Sequence, residues 1–549
     1  MKKRIAIIST LAIIVLMVVL SCVLPPISCE MPLWLSVLPP LVAITMALLT
    51  REVLSSLFVG ILTGTFIMSL FDGATPISAL LSGFLRIVDT YIIGALTDSD
   101  HVMIIVFTLI IGGMVRILSI NGGMHAIVNW LSKRASTPRA GQIATYLMSL
   151  VIFFDDYANT LVVGNTMRPI TDRLRISREK LAYLVDSSSA PMVAVAFITT
   201  WIGAELSYIQ NGIDAVGLDV SAYSVFLHSL SYSFYPLLTL IFMLIIVVSQ
   251  RDFGPMLVAE RKARAATVEN ENPSKAQENF HAIDALLPLL VLIFGTIAGL
   301  FITGYDELIW TGDKSFVTKL SATVGNSNSY VALLWSSLFA LMVAIAMTML
   351  RGKHKFGKLM EETVEGFKSM ITAVVILTLA WSIALITKDM HTAEFVSQLL
   401  VKWSVLPEII PAVTFVLAFF IGFSTGTSWG TMAILYPIIL PSSWLLAETQ
   451  GLDAETCMNL FNIVVATVLA GAVLGDHCSP ISDTTIMSST ASGCDHISHV
   501  RTQMPYALTV GAISLVVLVP VSFGMPSWVA FVVATVVMWA IVRFVGKKA

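Results

Sequence analysis

Long apolar runs constrain this chain more than any other feature. "ALLPLLVLIFGTIAGLFITG" (285–304) and "YVALLWSSLFALMVAIAMTML" (330–350) each pass twenty residues without a charge. A run of about 18 or more apolar residues is long enough to cross a bilayer. Of the 549 residues, 56% are hydrophobic and 12% charged, against about 25% charged in ordinary soluble domains. The fold class that follows is an all-α polytopic membrane protein. The net charge of −3 gives no reason to expect a nucleic-acid partner. The five cysteines fit neither a disulfide framework nor a CxxC metal spacing.

The apolar runs predict about twelve spans, near 5–24, 33–49, 52–71, 102–120, 181–205, 222–248, 285–304, 328–350, 369–387, 456–490, 504–522 and 527–545. The first, after Lys2, Lys3 and Arg4, reads equally as a retained anchor or as a signal segment within 1–32. Lys and Arg collect on the cytoplasmic side of membrane proteins. The basic stretches 132–139, 168–180, 251–264, 351–358 and the terminal "GKKA" are therefore expected inside, with the C-terminus, in the cell (inner) membrane. Residues 72–100, 206–221, 305–327 and 448–455 are poor in Lys and Arg and are expected outside. The polar stretch within 251–283 reads as a linker between a first repeat, 33–250, and a second, 284–522, with a last helix in 523–549.

Residues 141–167 do not fit simple alternation. A single crossing there would put Arg139 and Arg168 on opposite sides. A re-entrant hairpin keeps both inside, with "DDYANT" (155–160) at its tip. A second hairpin is expected over 407–447, with the Ser-, Thr- and Gly-rich tip "STGTSWGTM" (424–432). A broken helix follows each hairpin. The first, 181–205, contains "DSSSAP"; the second, 456–490, contains "GDHCSPISD". Pro191 and Pro480 are the expected break points, because proline removes a backbone donor. Matching interrupted helices in two oppositely oriented halves mark an inverted-topology repeat and a binding site near the midplane.

The polar residues in these segments are the candidate ion and proton site. Asp155, Asp156, Asp186, Asp476 and Asp483 supply carboxylates. Asn159, Thr160, Ser188, Ser189, Ser479, Ser482 and Thr484 supply neutral oxygens, and His477 is a candidate proton relay. A carboxylate at membrane depth is costly, which favours function over helix capping for Asp155 and Asp156. Burial disfavours ionisation of a carboxylate, and a neighbouring carboxylate disfavours it further. Such a site can trade a proton for a hard cation. On a continuous helix Asp476 and Asp483, seven apart, would share one face. Thr425, Thr427 and Ser428 are expected to line a substrate site. Glu205 reads as a solvated acid near the end of its span, and His496 and His499 as surface residues of a loop.

"FDDYANTLVVGNTMRPITDRLRISREKLAYLVDSSSAP" (154–191) and "GDHCSPISDTT" (475–485) resemble the NhaC-type sodium/proton antiporters of the ion transporter superfamily. The resemblance runs from about residue 36 to 520. It implies two inverted repeats, each with a re-entrant hairpin and an unwound helix, and by analogy an elevator motion and a homodimer. It implies Na+/H+ exchange; carriers coupling a small organic acid or amino acid to Na+ resemble this sequence as well. No enzyme activity and no cofactor beyond the transported ions are expected. No G-x-x-x-x-G-K-[ST] phosphate loop points to ATP, and H-E-x-x-H is missing. The expected partners are the lipid bilayer, Na+ and H+.

Overall fold

A computed structural model describes residues 31–50, 52–124, 126, 136–265, 281–311, 316–352 and 354–549. The N-terminal apolar run, residues 132–135 of the basic loop and residues 266–280 of the linker lie outside the described residues. Among the described residues the regular elements are all helices, apart from a two-residue ladder pairing Arg251–Asp252 with Lys547–Lys548. Twelve helices are long and apolar enough to cross a membrane, and the bent pair Ala222–Tyr232 and Phe234–Ser249 raises the count to thirteen. The chain is an all-α polytopic membrane protein.

One such helix, Ile77–Thr97, occupies the segment expected as an outer loop over 72–100. Arg86 and Asp89 interrupt its apolar run and hide it from a hydropathy reading. Arg86 reaches Asp72 at 2.7 Å, so its charge is paired at the helix edge. The basic loops all follow this helix, so their arrangement relative to one another is unaffected.

Nine helices carry the site and its surroundings: α1 (Pro138–Val151), α2 (Asp156–Arg173), α3 (Arg178–Val195), α4 (Ile202–Ala215), α5 (Ile410–Thr425), α6 (Ser428–Thr449), α7 (Ala454–Cys478), α8 (Asp483–Ser492) and α9 (His496–Ser522). The pairs α1–α2 and α5–α6 occupy the two segments expected as re-entrant hairpins. At 14 residues, α1 spans about 21 Å, too short for a hydrocarbon core of about 30 Å. By contrast, Pro407–Thr425 and Ser428–Thr449 are each of span length. Length alone therefore does not require the second pair to re-enter.

Both interrupted helices are present, but the first breaks elsewhere than expected. α3 runs through Pro191 to Val195, and the backbone leaves the helix over 196–201. Close packing offsets the single hydrogen bond that an interior proline removes. α7 ends at Cys478, and residues 479–482, with Pro480, separate it from α8. The expected outer loop 206–221 is largely helix α4.

The chain divides into two compact units. The first comprises Met1–Val102, Ala204–Tyr232 and Thr372–Gly475; the second comprises Met103–Gly203, Ser233–Ile371 and Asp476–Ala549. In the first unit, α5 and α7 approach at Gly475, where a Cβ would lie 2.5 Å from the Phe419 carbonyl oxygen. In the second, α2, α3, α8 and α9 pack together. Gly164 of α2 lets α8 approach so closely that a Cβ there would lie 2.7 Å from the Ala491 Cβ.

Candidate functional site

The second unit brings the chain breaks at 152–155, 196–201 and 479–482 into one polar cluster. The Thr200 N–H, in the break after α3, donates to the Phe154 carbonyl in the break before α2 at 2.9 Å. This bond joins the two irregular segments. Asp155 caps α2 by accepting from the Ala158 N–H at 2.6 Å, so its local role is the helix cap. Asp156 begins α2, and its Oδ1 accepts from the Tyr157 N–H at 3.1 Å. Both carboxylates are buried.

Asn159 holds the break from the other side. Its amide donates to the carbonyls of Ser149 (2.8 Å) and Ile152 (3.1 Å), which α1 leaves unpaired at its end. Its Oδ1 is buried and has no partner. Asn159 is therefore a structural brace that presents one free acceptor. Thr160 donates to the Asp156 carbonyl at 2.7 Å.

On α3, Asp186 is fully buried. Three donors converge on its Oδ2: the Thr485 hydroxyl at 3.1 Å, His499 Nε2 at 3.2 Å, and the Gln503 amide. Its Oδ1 has no partner. Ser188 donates to the Leu184 carbonyl and Ser189 to the Asp186 carbonyl. Both hydroxyl protons are thus used within α3, leaving only oxygen lone pairs to offer.

Asp476 lies on the last turn of α7 and is 3% exposed. The Thr484 hydroxyl donates to it at 3.1 Å across the break. Ser482 caps α8 by accepting from the Thr485 N–H and lies 3.0 Å from Thr484 Oγ1. Ser479, fully buried, accepts from the Ile481 N–H at 3.3 Å. Asp483 does not share a face with Asp476: the break falls between them, and Asp483 is exposed at the start of α8. His477 Nδ1 meets the Tyr235 hydroxyl at 2.8 Å, while its Nε2 is buried without a partner.

The histidines expected on a surface loop belong to this cluster. α9 starts at His496, capped by Asp495, so the presumed loop is its first turns. His499 is fully buried, with Nε2 also 3.1 Å from the Ser488 hydroxyl. His496 Nε2 lies 2.8 Å from the Pro480 carbonyl oxygen and its Nδ1 3.1 Å from Ser489. Gln503 donates to the His477 carbonyl at 2.9 Å. His496 and Gln503 thereby occupy carbonyls that the second break frees. The spacing of His496, His499 and Gln503, at i, i+3 and i+7 on one helix face, was the signal a sequence reading could have used.

Asp155, Asp156, Asp476 and Asp483 all act electrostatically on Tyr157, so the acids of both breaks share one neighbourhood. Among the described residues no three His, Cys, Asp or Glu side chains are grouped as a metal site. A cation here would have to draw on neutral oxygens as well as carboxylates.

Thr425, Thr427 and Ser428 belong to the first unit. Thr425 donates to the Ile421 carbonyl at 2.8 Å, Thr427 precedes α6 as its cap residue, and the buried Ser428 hydroxyl has no partner. Gly426 between the helices has φ +70°, a left-handed turn that glycine adopts freely. Glu205, expected at a solvated surface, is buried at 2% exposure.

Buried carboxylates at paired helix breaks in a polytopic bundle define a membrane transporter. The model of the Na+/H+ antiporter family matches residues 192–523. The chain belongs to that family. It is 32% identical over 519 residues to an uncharacterized protein of Haemophilus influenzae, covering 93% of this chain and 95% of that one. It is 26% identical over 183 residues to the arginine/ornithine antiporter ArcD of Halobacterium salinarum, covering 32% and 34% of the two chains. Its fold is similar to the YdaH transporter of Alcanivorax borkumensis, a structure of unusual topology (TM-score 0.53, 15% identity, covering 81% of this chain and 90% of that chain). It is also similar to Neisseria gonorrhoeae MtrF, from a class of antimetabolite efflux pumps (TM-score 0.55, 12% identity, 80% and 84%).

Proposed function

We propose that this protein exchanges Na+ for H+ across the cytoplasmic membrane, with the cluster of the second unit as the ion site. The observation that carries this reading is the convergence of two helix breaks on buried carboxylates. Asp155, Asp156, Asp186 and Asp476 supply negative charge. Asn159 Oδ1, the oxygens of Thr160, Ser188, Ser189, Ser479, Ser482 and Thr484, and the carbonyls at the breaks supply neutral ligands for a hard cation. Asp483, exposed beside the cluster, is an entry residue, and His477 relays protons. A carboxylate that coordinates Na+ cannot also hold a proton. Alternating occupancy then gives exchange driven by either gradient. A re-entrant first hairpin, a homodimer and a C-terminus on the cytoplasmic side complete this reading; the short α1 and the basic loops support the hairpin and the orientation.

A second reading has a specific observation behind it. The match to an arginine/ornithine antiporter, and the unpartnered Ser428 hydroxyl at the α5–α6 turn, favour a carrier that moves a small amino acid or organic acid with or against Na+. One experiment separates the two. Protein is reconstituted in proteoliposomes holding a pH-sensitive dye, and NaCl or KCl is added without any organic solute. A proton movement specific to Na+ is expected. Silence from folded protein would sink simple antiport and direct the search to Na+-dependent uptake of amino acids.

A further inference from the structure

The ion cluster leaves Glu205, a buried acid, unused. Glu205 belongs to the first unit, whereas Asp155, Asp156, Asp186 and Asp476 belong to the second. It is 2% exposed, and among the described residues its Oε1 has no hydrogen-bond partner. Its helix, α4, is held on two sides. Gly212 abuts Leu440 of α6, where a Cβ would lie 2.8 Å away. Ser207 accepts a hydrogen bond from the indole of Trp381, which is stacked on His101 at 3.9 Å. One turn from Glu205, Tyr208 stacks on Tyr436 of α6 with ring centroids 5.8 Å apart, and the Tyr208 hydroxyl also lacks a partner. The Tyr436 hydroxyl is taken up by the Val465 carbonyl at 2.9 Å.

The charges around it decide its state. Within the first unit, the titratable groups on the packed elements are Tyr208 and Asp214 of α4, Tyr436 and Glu448 of α6, Lys388 and Asp389 on the helix bearing Trp381, and Asp100 and His101. Among the described residues Glu205 forms no ion pair with a charged side chain. An ionised carboxylate buried without a counter-charge is far costlier than a neutral acid. Glu205 lies in the first turn of α4, where the helix dipole favours negative charge. That effect is about an order of magnitude smaller than the burial cost. A proton is also the one ligand that needs no cavity.

We propose that Glu205 is a second proton-binding site, independent of the acids of the second unit: it holds a proton in the conformation described here and exchanges it with bulk water as pH rises. The chain then carries protons at two separate places, and Glu205 adds to the protons taken up and released without competing for the cation.

Infrared difference spectroscopy of the purified full-length protein tests this without any transport assay. The wild-type protein at neutral pH is expected to show a protonated-carboxyl C=O band. Glu205→Gln is expected to lose the intensity of about one carboxyl from it, and alkaline titration of the wild type should remove the same component. An unchanged band in folded Glu205→Gln would overturn the proposal. So would a Glu205 component that resists titration until the protein unfolds. If Glu205→Gln fails to fold, Glu205→Asp serves instead: the band should move in frequency, and an unmoved band overturns the proposal. Because these readings require no Na+, they stand or fall separately from Na+/H+ exchange.

Discussion

Asp186 and His499 stand 313 positions apart in the chain, yet both are fully buried, with His499 Nε2 3.2 Å from Asp186 Oδ2. The contact ties α3 to α9 across the second break. Removing His499 takes one of three donors away from a buried carboxylate, and a hydrogen bond to a charged group is worth about 1.5–3 kcal/mol. His499→Ala is therefore expected to lower the melting temperature of the solubilised protein markedly. Asp186→Asn in the same background should cost less than it does alone, with a coupling of about 1–3 kcal/mol. Strict additivity in the double-mutant cycle would show that the two side chains do not interact.

Asp476 and Asp483 are expected to differ in function because they differ in setting. Asp476 is buried and receives the Thr484 hydroxyl, while Asp483 is exposed. Loss of a charged ligand worth about 1.5–3 kcal/mol corresponds to roughly ten- to hundredfold in affinity. Asp476→Asn is expected to raise the half-saturating Na+ concentration in proteoliposomes by at least about tenfold. Asp483→Asn should change it by less than about threefold. Equal effects would restore the idea that the two acids act as a pair.

The α2–α8 approach at Gly164 is a packing constraint with a built-in rescue. A Cβ at Gly164 would meet the Ala491 Cβ at 2.7 Å. Gly164→Ala is expected to destabilise the fold by about 1–3 kcal/mol through overpacking. Adding Ala491→Gly should recover most of that loss, read by thermal unfolding and by transport. A double variant no better than the single one would place the strain elsewhere.

Outside the spans, Glu260 gives a pH signature. Its carboxyl accepts from both the N–H and the hydroxyl of Ser177, at 2.7 Å each. Burial pushes this carboxyl above the ordinary glutamate range, and the Lys180 ammonium nearby offsets only part of that. A carboxyl raised on folding adds stability below its unfolded pKa of about 4.3 and loses that contribution as pH rises through the folded value. Wild type should therefore lose stability, relative to Glu260→Gln, as pH rises above the ordinary glutamate range. Parallel melting curves across that window would rule this out.

Much of the architecture could be read from local pattern. The runs at 285–304 and 330–350 are span-length and uncharged, so each must pair its backbone internally. Pro480 beside Ser479 signalled the second break, since neither residue favours helix continuation there. The Asp155–Asp156 pair marked the first break because carboxylates are too costly in that setting without a structural or chemical reason. Where local pattern misled, the cause was a long-range contact. Arg86 disguised a span until its charge was seen paired with Asp72. Pro191 looked like a break, but its packed surroundings keep α3 helical to Val195.

The sequence by itself determined that the chain is a helical membrane protein with polar interruptions at 155–160 and around Pro480, because hydropathy, proline and charge act over a few residues. Only the tertiary structure decided which acids belong together. It buried Asp476 and exposed Asp483 by bending the chain between them. It turned a presumed loop into the helix that carries His499 to Asp186, and it hid Glu205 in a different unit. Burial and hydrogen-bond partners depend on residues hundreds of positions away, and no local pattern contains them.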